Sequence, residues 1–241
     1  MESSFSNDFI DHTISDWAGR KEPNIVEKYL FENYLENSEL SVLEAGTGAG
    51  VLSFCLEKKF GFKNITAFDI IPKMIKKAQD KAKKQKSNIK FMVANACHLQ
   101  SLKSGQFDYL IYLGQILSMV PEEQLNLALE EAYRLGSKNS TYFFSFLDWG
   151  SRWYNPILSF NINLARLLTG RPIKKYYIPE IKYKGSINWH FYENEQHALL
   201  WCKKDRIIRK LKLAGFNVKK IYYESDITNK KGTAFYFVCN K

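Results

Sequence analysis

The chain has 241 residues, 45% of them hydrophobic and 25% charged, which suits one α/β domain with an ordinary core and excludes disorder as the dominant state. The formal net charge of +10 leaves anionic partners open. No apolar run reaches the ~18–20 residues of a membrane span, and the start, Met1 to Asp8, lacks the basic-then-apolar pattern of a secretory signal.

The four cysteines, Cys55, Cys97, Cys202 and Cys239, are dispersed and form no CxxC pair. They are expected to be reduced thiols in a cytoplasmic protein, and no metal site is expected. Residues 24–35 place Ile25, Val26, Tyr29, Leu30 and Phe31 at helical spacing. A short strand, Leu40 to Ala45, runs through a glycine turn into a helix near 50–59. Asn64 to Asp69 reads as a second strand, and Pro72 suits the first turn of a helix reaching about Gln85. Lys73, Lys76, Lys77, Lys81, Lys83, Lys84, Lys86 and Lys90 lie in or just after that helix. With little arginine or aromatic interleaving, they are expected to form a solvated face rather than a nucleic-acid surface. Ile89 to Ala94, Phe107 to Leu113 and Ser140 to Leu147 read as the next strands. Pro121 opens a helix over Glu122 to Leu135. This alternation predicts right-handed crossovers and a parallel sheet.

The rhythm breaks near residue 149. Residues 149–202 are rich in tryptophan and tyrosine, with a helix expected near 154–169 and a short-stranded stretch after it. A helix follows at 203–214. Phe216 to Glu224 and Thr233 to Asn240 are separated only by Ser225 to Gly232, too short for a helical crossover, so they should pair antiparallel. The expected fold is α/β: a seven-stranded, mostly parallel sheet with helices on both faces and the last strand antiparallel. A cap built from residues 1–36 and 149–202 completes a single domain.

Two motifs carry chemistry. In Val42-Leu43-Glu44-Ala45-Gly46-Thr47-Gly48-Ala49-Gly50 a strand ends in an acid and three alternating glycines lead into a helix. Dinucleotide loops are spaced G-x-G-x-x-G, and their third glycine position is Val51 here. Glu44 would repel a pyrophosphate but suits a cationic ligand. Asp69, at the end of the second strand, can accept both hydroxyls of a ribose, or cap the helix that begins at Pro72.

Together these residues resemble the class I S-adenosylmethionine-dependent methyltransferase family, over about 38–147 and again 203–240. The resemblance implies S-adenosylmethionine as cofactor. Glu44, Gly46, Thr47, Gly48 and Gly50 would hold its methionine portion, Asp69 its ribose, and Ile70 and Ile71 would border the adenine. Asn95, with Ala96 and Cys97, stands where the family usually places an aspartate facing the adenine amino group; an amide oxygen still accepts that bond. Leu113 and Gly114 would lie beside the methyl group.

No acceptor motif stands out. The Asn/Asp-Pro-Pro-Tyr/Phe loop of amino-methylating nucleic-acid enzymes is replaced by Leu113-Gly114-Gln115-Ile116. Acceptor-pocket candidates are Trp17, Arg20, Trp149, Arg152, Trp153, Tyr154, Trp189 and Tyr192. His190 and His197 are general-base candidates, since histidine titrates near working pH; His12 and His98 have weaker claims. The expected activity is methyl transfer to a small or medium-sized acceptor such as a metabolite, natural product or peptide end. The alternatives are an RNA methyltransferase, motivated by the charge, and a non-catalytic protein that binds S-adenosylmethionine. The glycine spacing and Glu44 disfavour a nicotinamide-dependent oxidoreductase.

Overall fold

The computed structural model describes residues 19–179 and 198–241 and, between them, the backbone of two short strands at 182–183 and 186–187. In chain order the elements are α1 Ile25–Tyr34, β1 Ser41–Ala45, α2 Val51–Phe60, β2 Asn64–Asp69, α3 Pro72–Gln85, β3 Lys90–Val93, β4 Phe107–Tyr112 and α4 Ile116–Met119. There follow α5 Leu125–Leu135, β5 Gly136–Asp148, α6 Asn155–Leu168, β6 Tyr177–Pro179, β7 Lys182–Tyr183, β8 Ser186–Ile187 and β9 Ala198–Cys202. The chain closes with α7 Lys204–Leu213, β10 Asn217–Tyr223, α8 Glu224–Ile227 and β11 Ala234–Asn240.

The main sheet runs β10-β11-β5-β4-β1-β2-β3. Strands β5, β4, β1, β2 and β3 are parallel. The closing hairpin is antiparallel, with β11 lying against β5. The strand count exceeds the expected seven: β9 and β6 extend the sheet to nine strands among the described residues. The extra pair comes from the insertion, whose irregular composition concealed it. β5 runs beyond β4, whose register ends at Tyr112 opposite Phe144. β11 covers one edge of that overhang, pairing Ala234 with Leu147. β9 therefore takes the other edge, pairing Trp201 with Leu147 and Cys202 with Asp148. This places β9, with β6 beside it, next to the C-terminal end of β4.

Side-chain alternation along the strands divides the core into two layers. Val42, Ala67, Ile111 and Phe143 face α1, α2 and α3, which contribute Leu30, Phe31, Leu52, Phe54, Ile75 and Ala78. Leu43, Phe68, Leu110 and Phe144 face α5 and α7, which contribute Leu125, Leu129, Ala132, Ile207 and Leu211. Helices therefore cover both faces, as a parallel sheet requires. The start of α1 is fixed by a capping box, Asn24 with Glu27. Its buried apolar residues are Val26, Leu30 and Phe31; Ile25 faces solvent, one position off the predicted face. α3 starts at Pro72 and buries Met74, Ile75, Ala78 and Ala82, leaving Lys73, Lys76, Lys77, Lys83, Lys84 and Lys86 exposed on its other face and at its end. Three boundaries differ from expectation, the first being β5, which starts at Gly136 rather than Ser140. Glu122–Gln124 is a 3-10 turn ahead of α5, and the hairpin connection contains the one-turn α8, capped by Asp226 accepting from the Tyr223 N–H.

Candidate functional site

The functional residues gather at the C-terminal edge of the sheet, where β1, β2 and β4 end. Alternation that sends Val42 toward α2 also sends Glu44 there. The Glu44 carboxylate accepts from the Thr47 hydroxyl at 2.9 Å and from the Ser53 hydroxyl on the first turns of α2. Burial pushes its pKa up to about 7; the two hydroxyls and the nearby Arg20 guanidinium hold it lower than burial alone would. Arg20 is ion-paired with Glu27, whose carboxylate also accepts the Asn24 N–H at 2.8 Å. Arg20, an expected acceptor-pocket residue, thus links the cap of α1 to the base of the glycine loop.

The loop turns through left-handed backbone at Gly46, Gly48 and Gly50 (φ 65, 54 and 85°). The Thr47 N–H donates to the Phe68 carbonyl at 3.0 Å, tying the loop to β2. Asp69 completes the tie: one carboxylate oxygen accepts the Gly48 N–H at 2.8 Å, the other the Ile71 N–H at 2.9 Å. Ile71 is the N-cap residue of α3, so Asp69 serves the helix start as well as the loop. Each oxygen keeps a second acceptor direction for a ligand. Burial raises the Asp69 pKa, and the backbone N–H groups oppose that rise.

The neighbouring segments converge on the same edge. The Ala94 N–H donates to the Asp69 carbonyl at 3.0 Å. The Asn95 side-chain oxygen accepts the Cys97 N–H at 2.9 Å, closing its own turn. Ala96 and Cys97 are buried beneath it, and His98 points to solvent. Of the two isoleucines expected to border the adenine, Ile70 is half-buried and Ile71 lies within the core. Leu113 is buried at the end of β4. Gly114 and Gln115 both take left-handed backbone, and the Gln115 N–H donates to the Ser145 hydroxyl at 2.9 Å. Left-handed backbone at a residue with a side chain stores strain, which marks this turn as held by its surroundings.

The three loop glycines serve different ends. A Cβ on Gly48 would rest in ordinary van der Waals contact with the Met74 methyl at 3.7 Å, without a clash. At Gly46 the space of the missing Cβ is filled by the Ile116 side chain, well inside van der Waals contact. Ile116 and Gln115 are therefore part of this edge, and so is Ser53. Neither spacing nor residue type distinguishes them in the sequence, because their positions follow from how α4 and α2 fold back. Gly46→Ala is expected to destabilise the protein by roughly 2–3 kcal/mol, from left-handed strain plus displacement of Ile116. Urea unfolding of the variant measures it; an unchanged midpoint would mean that Ile116 moves aside freely.

The insertion residues divide. Trp149 lies in a small core with Leu147, Ile162, Ile178 and Trp201. The Arg152 guanidinium stacks 4.3 Å from the centre of the Trp201 ring. Trp153 and Tyr154 contact one another edge-to-face on the outer surface. Trp17, Trp189, Tyr192, His12, His190 and His197 lie outside the described residues.

The donor set fits a cationic nucleoside ligand. It combines a buried carboxylate behind the loop with a second carboxylate at the end of β2 that keeps acceptor capacity. The comparisons agree. Residues 42–139 match the model of the methyltransferase domain family. A putative protein N5-glutamine methyltransferase of Methanocaldococcus jannaschii is 31% identical over 104 residues, 43% of this chain and 51% of that protein. The chain thus spans about half the length of this curated relative. In fold, a protein of Pyrococcus horikoshii aligns with a TM-score of 0.64 at 22% identity, covering 90% of this chain and 87% of that one. An S-adenosylmethionine-dependent methyltransferase of Methanosarcina mazei aligns with a TM-score of 0.67 at 18% identity, covering 88% and 96%. Residues 42–139 thus carry a methyltransferase domain, in keeping with the resemblance to class I S-adenosylmethionine-dependent methyltransferases.

Proposed function

We propose that this protein transfers the methyl group of S-adenosylmethionine to a small or medium-sized, partly apolar acceptor. The observation that carries this reading is the junction of Asp69 with the Gly48 N–H, which fixes a carboxylate and a glycine loop side by side at the end of β2. In this reading Asp69 accepts the ribose hydroxyls and Glu44 balances the positive charge of the ligand from behind the loop. Gly46, Thr47, Gly48 and Gly50 shape its methionine seat. Ile70, Asn95, Ala96 and Cys97 border the adenine, and Leu113 and Gly114 flank the reacting end. Bound S-adenosylmethionine supplies a methyl group already activated for direct displacement. The chain's remaining task is to align the acceptor and exclude water. The cap of residues 1–36 and 149–202 would supply the acceptor pocket, with Arg152, Trp149 and Tyr154 on its described part. His190 or His197 would serve as base where the acceptor must lose a proton.

A protein side chain is the second reading, favoured by the Methanocaldococcus jannaschii relative, a putative protein N5-glutamine methyltransferase. Incubating the purified protein with methyl-labelled S-adenosylmethionine and fractionated cell extract separates the readings. Label in the small-molecule fraction is the expected result. Label in protein would move the acceptor to a peptide. Label in RNA, with binding that falls steeply as salt rises, would overturn the proposal.

A further inference from the structure

Helix α6 is turned inside out. A helix on a folded domain ordinarily buries its apolar stripe and exposes its polar one. The buried positions of α6 are Asn155, Ser159, Ile162 and Arg166, one face at steps of four, three and four residues. Three of them are polar and fixed to the protein by hydrogen bonds. Asn155 Nδ2 donates to the Trp149 carbonyl at 3.0 Å, and Ser159 Oγ to the Lys175 carbonyl at 2.5 Å. Arg166, only 1% exposed, donates to the carbonyls of Lys174 and Tyr177 at 3.1 and 3.3 Å.

The opposite face is apolar and open to solvent. Trp153, Ile157, Phe160, Leu164 and Leu167 recur at steps of four, three, four and three residues, and Leu168 widens the stripe. Trp153 is 81% exposed, Phe160 68% and Leu168 78%. Ile173, just past the helix end, continues the surface. The stripe is about 20 Å long at the rise of an α-helix. Contiguous exposed apolar surface of this kind marks a contact site.

Charge selects the occupant. Apart from the buried Arg166, residues 149–179 carry Arg152, Arg171, Lys174 and Lys175 and contain no aspartate or glutamate. A second copy of this chain would bring the same positive surface, on a molecule of net charge +10, against the first. An anionic lipid surface neutralises that charge and receives tryptophan, phenylalanine and leucine at the depth of its headgroups. No helix among the described residues is long and apolar enough to cross a membrane, so this helix would lie in the surface plane. We propose that the outer face of α6, from Trp153 to Leu168, docks this protein on anionic membrane surfaces. The inference stands apart from the methyltransferase reading.

Flotation of the full chain with vesicles tests it. Binding is expected to vesicles of phosphatidylcholine and phosphatidylglycerol in equal parts, with little to phosphatidylcholine alone. The double variant Phe160→Glu, Leu164→Glu changes only exposed side chains. It is expected to keep the wild-type melting temperature and lose at least about ten-fold in partitioning. Tryptophan fluorescence should shift to the blue on the mixed vesicles, and less so in Trp153→Phe. Equal binding by the double variant would overturn the proposal, since adsorption would then rest on lysines elsewhere. Equal binding to phosphatidylcholine alone would overturn it too. So would a dimer in sedimentation that the double variant dissociates, which would make the face a self-interface. No binding to either vesicle overturns it as well.

Discussion

Replacing Asp69 with alanine is expected to weaken S-adenosylmethionine binding by about 30- to 1,000-fold, the loss of roughly 2–4 kcal/mol of charge-assisted hydrogen bonding. Titration calorimetry of both proteins measures it. The same substitution frees the Gly48 and Ile71 N–H groups that the carboxylate now holds, so a stability loss of about 1–3 kcal/mol should accompany it. Asp69→Asn separates the two effects. Its amide oxygen still accepts one backbone N–H, so most of the stability should return, while the loss of charge keeps affinity low. Wild-type affinity in Asp69→Ala would place the ribose elsewhere.

Glu44→Gln should act in opposite directions on stability and on binding. The Glu44 carboxyl is held up from its ordinary 4.5 to about 7, chiefly by burial. Between those two values the native state keeps a proton that the unfolded chain has released. Stability therefore falls as pH rises through that window, by roughly 3 kcal/mol once both states are ionised. Glu44→Gln removes the cost of burying that charge. At about pH 8 the variant should be roughly 3 kcal/mol more stable than wild type, and the difference should vanish below the unfolded-state value. Urea unfolding across pH checks the trend; parallel curves would mean that Glu44 titrates normally in the fold. A cationic ligand favours the ionised carboxylate, so wild-type affinity for S-adenosylmethionine should rise through neutral pH while that of Glu44→Gln stays flat and weak.

The prediction for Glu44 depends on partners that only the fold supplies. Ser53 and Thr47 follow Glu44 closely along the chain, yet nothing in their spacing shows two hydroxyls turned onto one carboxylate oxygen. That follows from α2 folding back over β1 and from strand alternation pointing Glu44 at it. Arg20 is an acceptor-pocket candidate through its place in the N-terminal segment; only packing shows that it pairs with Glu27 and lies near Glu44. The contact of Gly46 with Ile116, which lies 70 positions further along the chain, is likewise invisible in the sequence. For the insertion, composition showed aromatic residues but not their division between a small core at Trp149 and an outward face at Trp153.

What the sequence determined by itself was periodic or chemically explicit. The apolar strands alternating with amphipathic helices specified a parallel α/β sheet, because side-chain period and crossover length leave few other arrangements. The eight-residue gap before Thr233 specified the antiparallel close. Glu44, the glycine run and Asp69 were legible because strand ends carry ligand chemistry at fixed offsets. Tertiary structure alone decided what depends on contacts between distant segments. The overhang of β5 beyond β4 exposes two strand edges, and unpaired backbone there must find partners; β11 and β9 take them, which places β9 beside the end of β4. The same packing binds the polar face of α6 to the carbonyls of Trp149, Lys174, Lys175 and Tyr177 and so turns its apolar face outward.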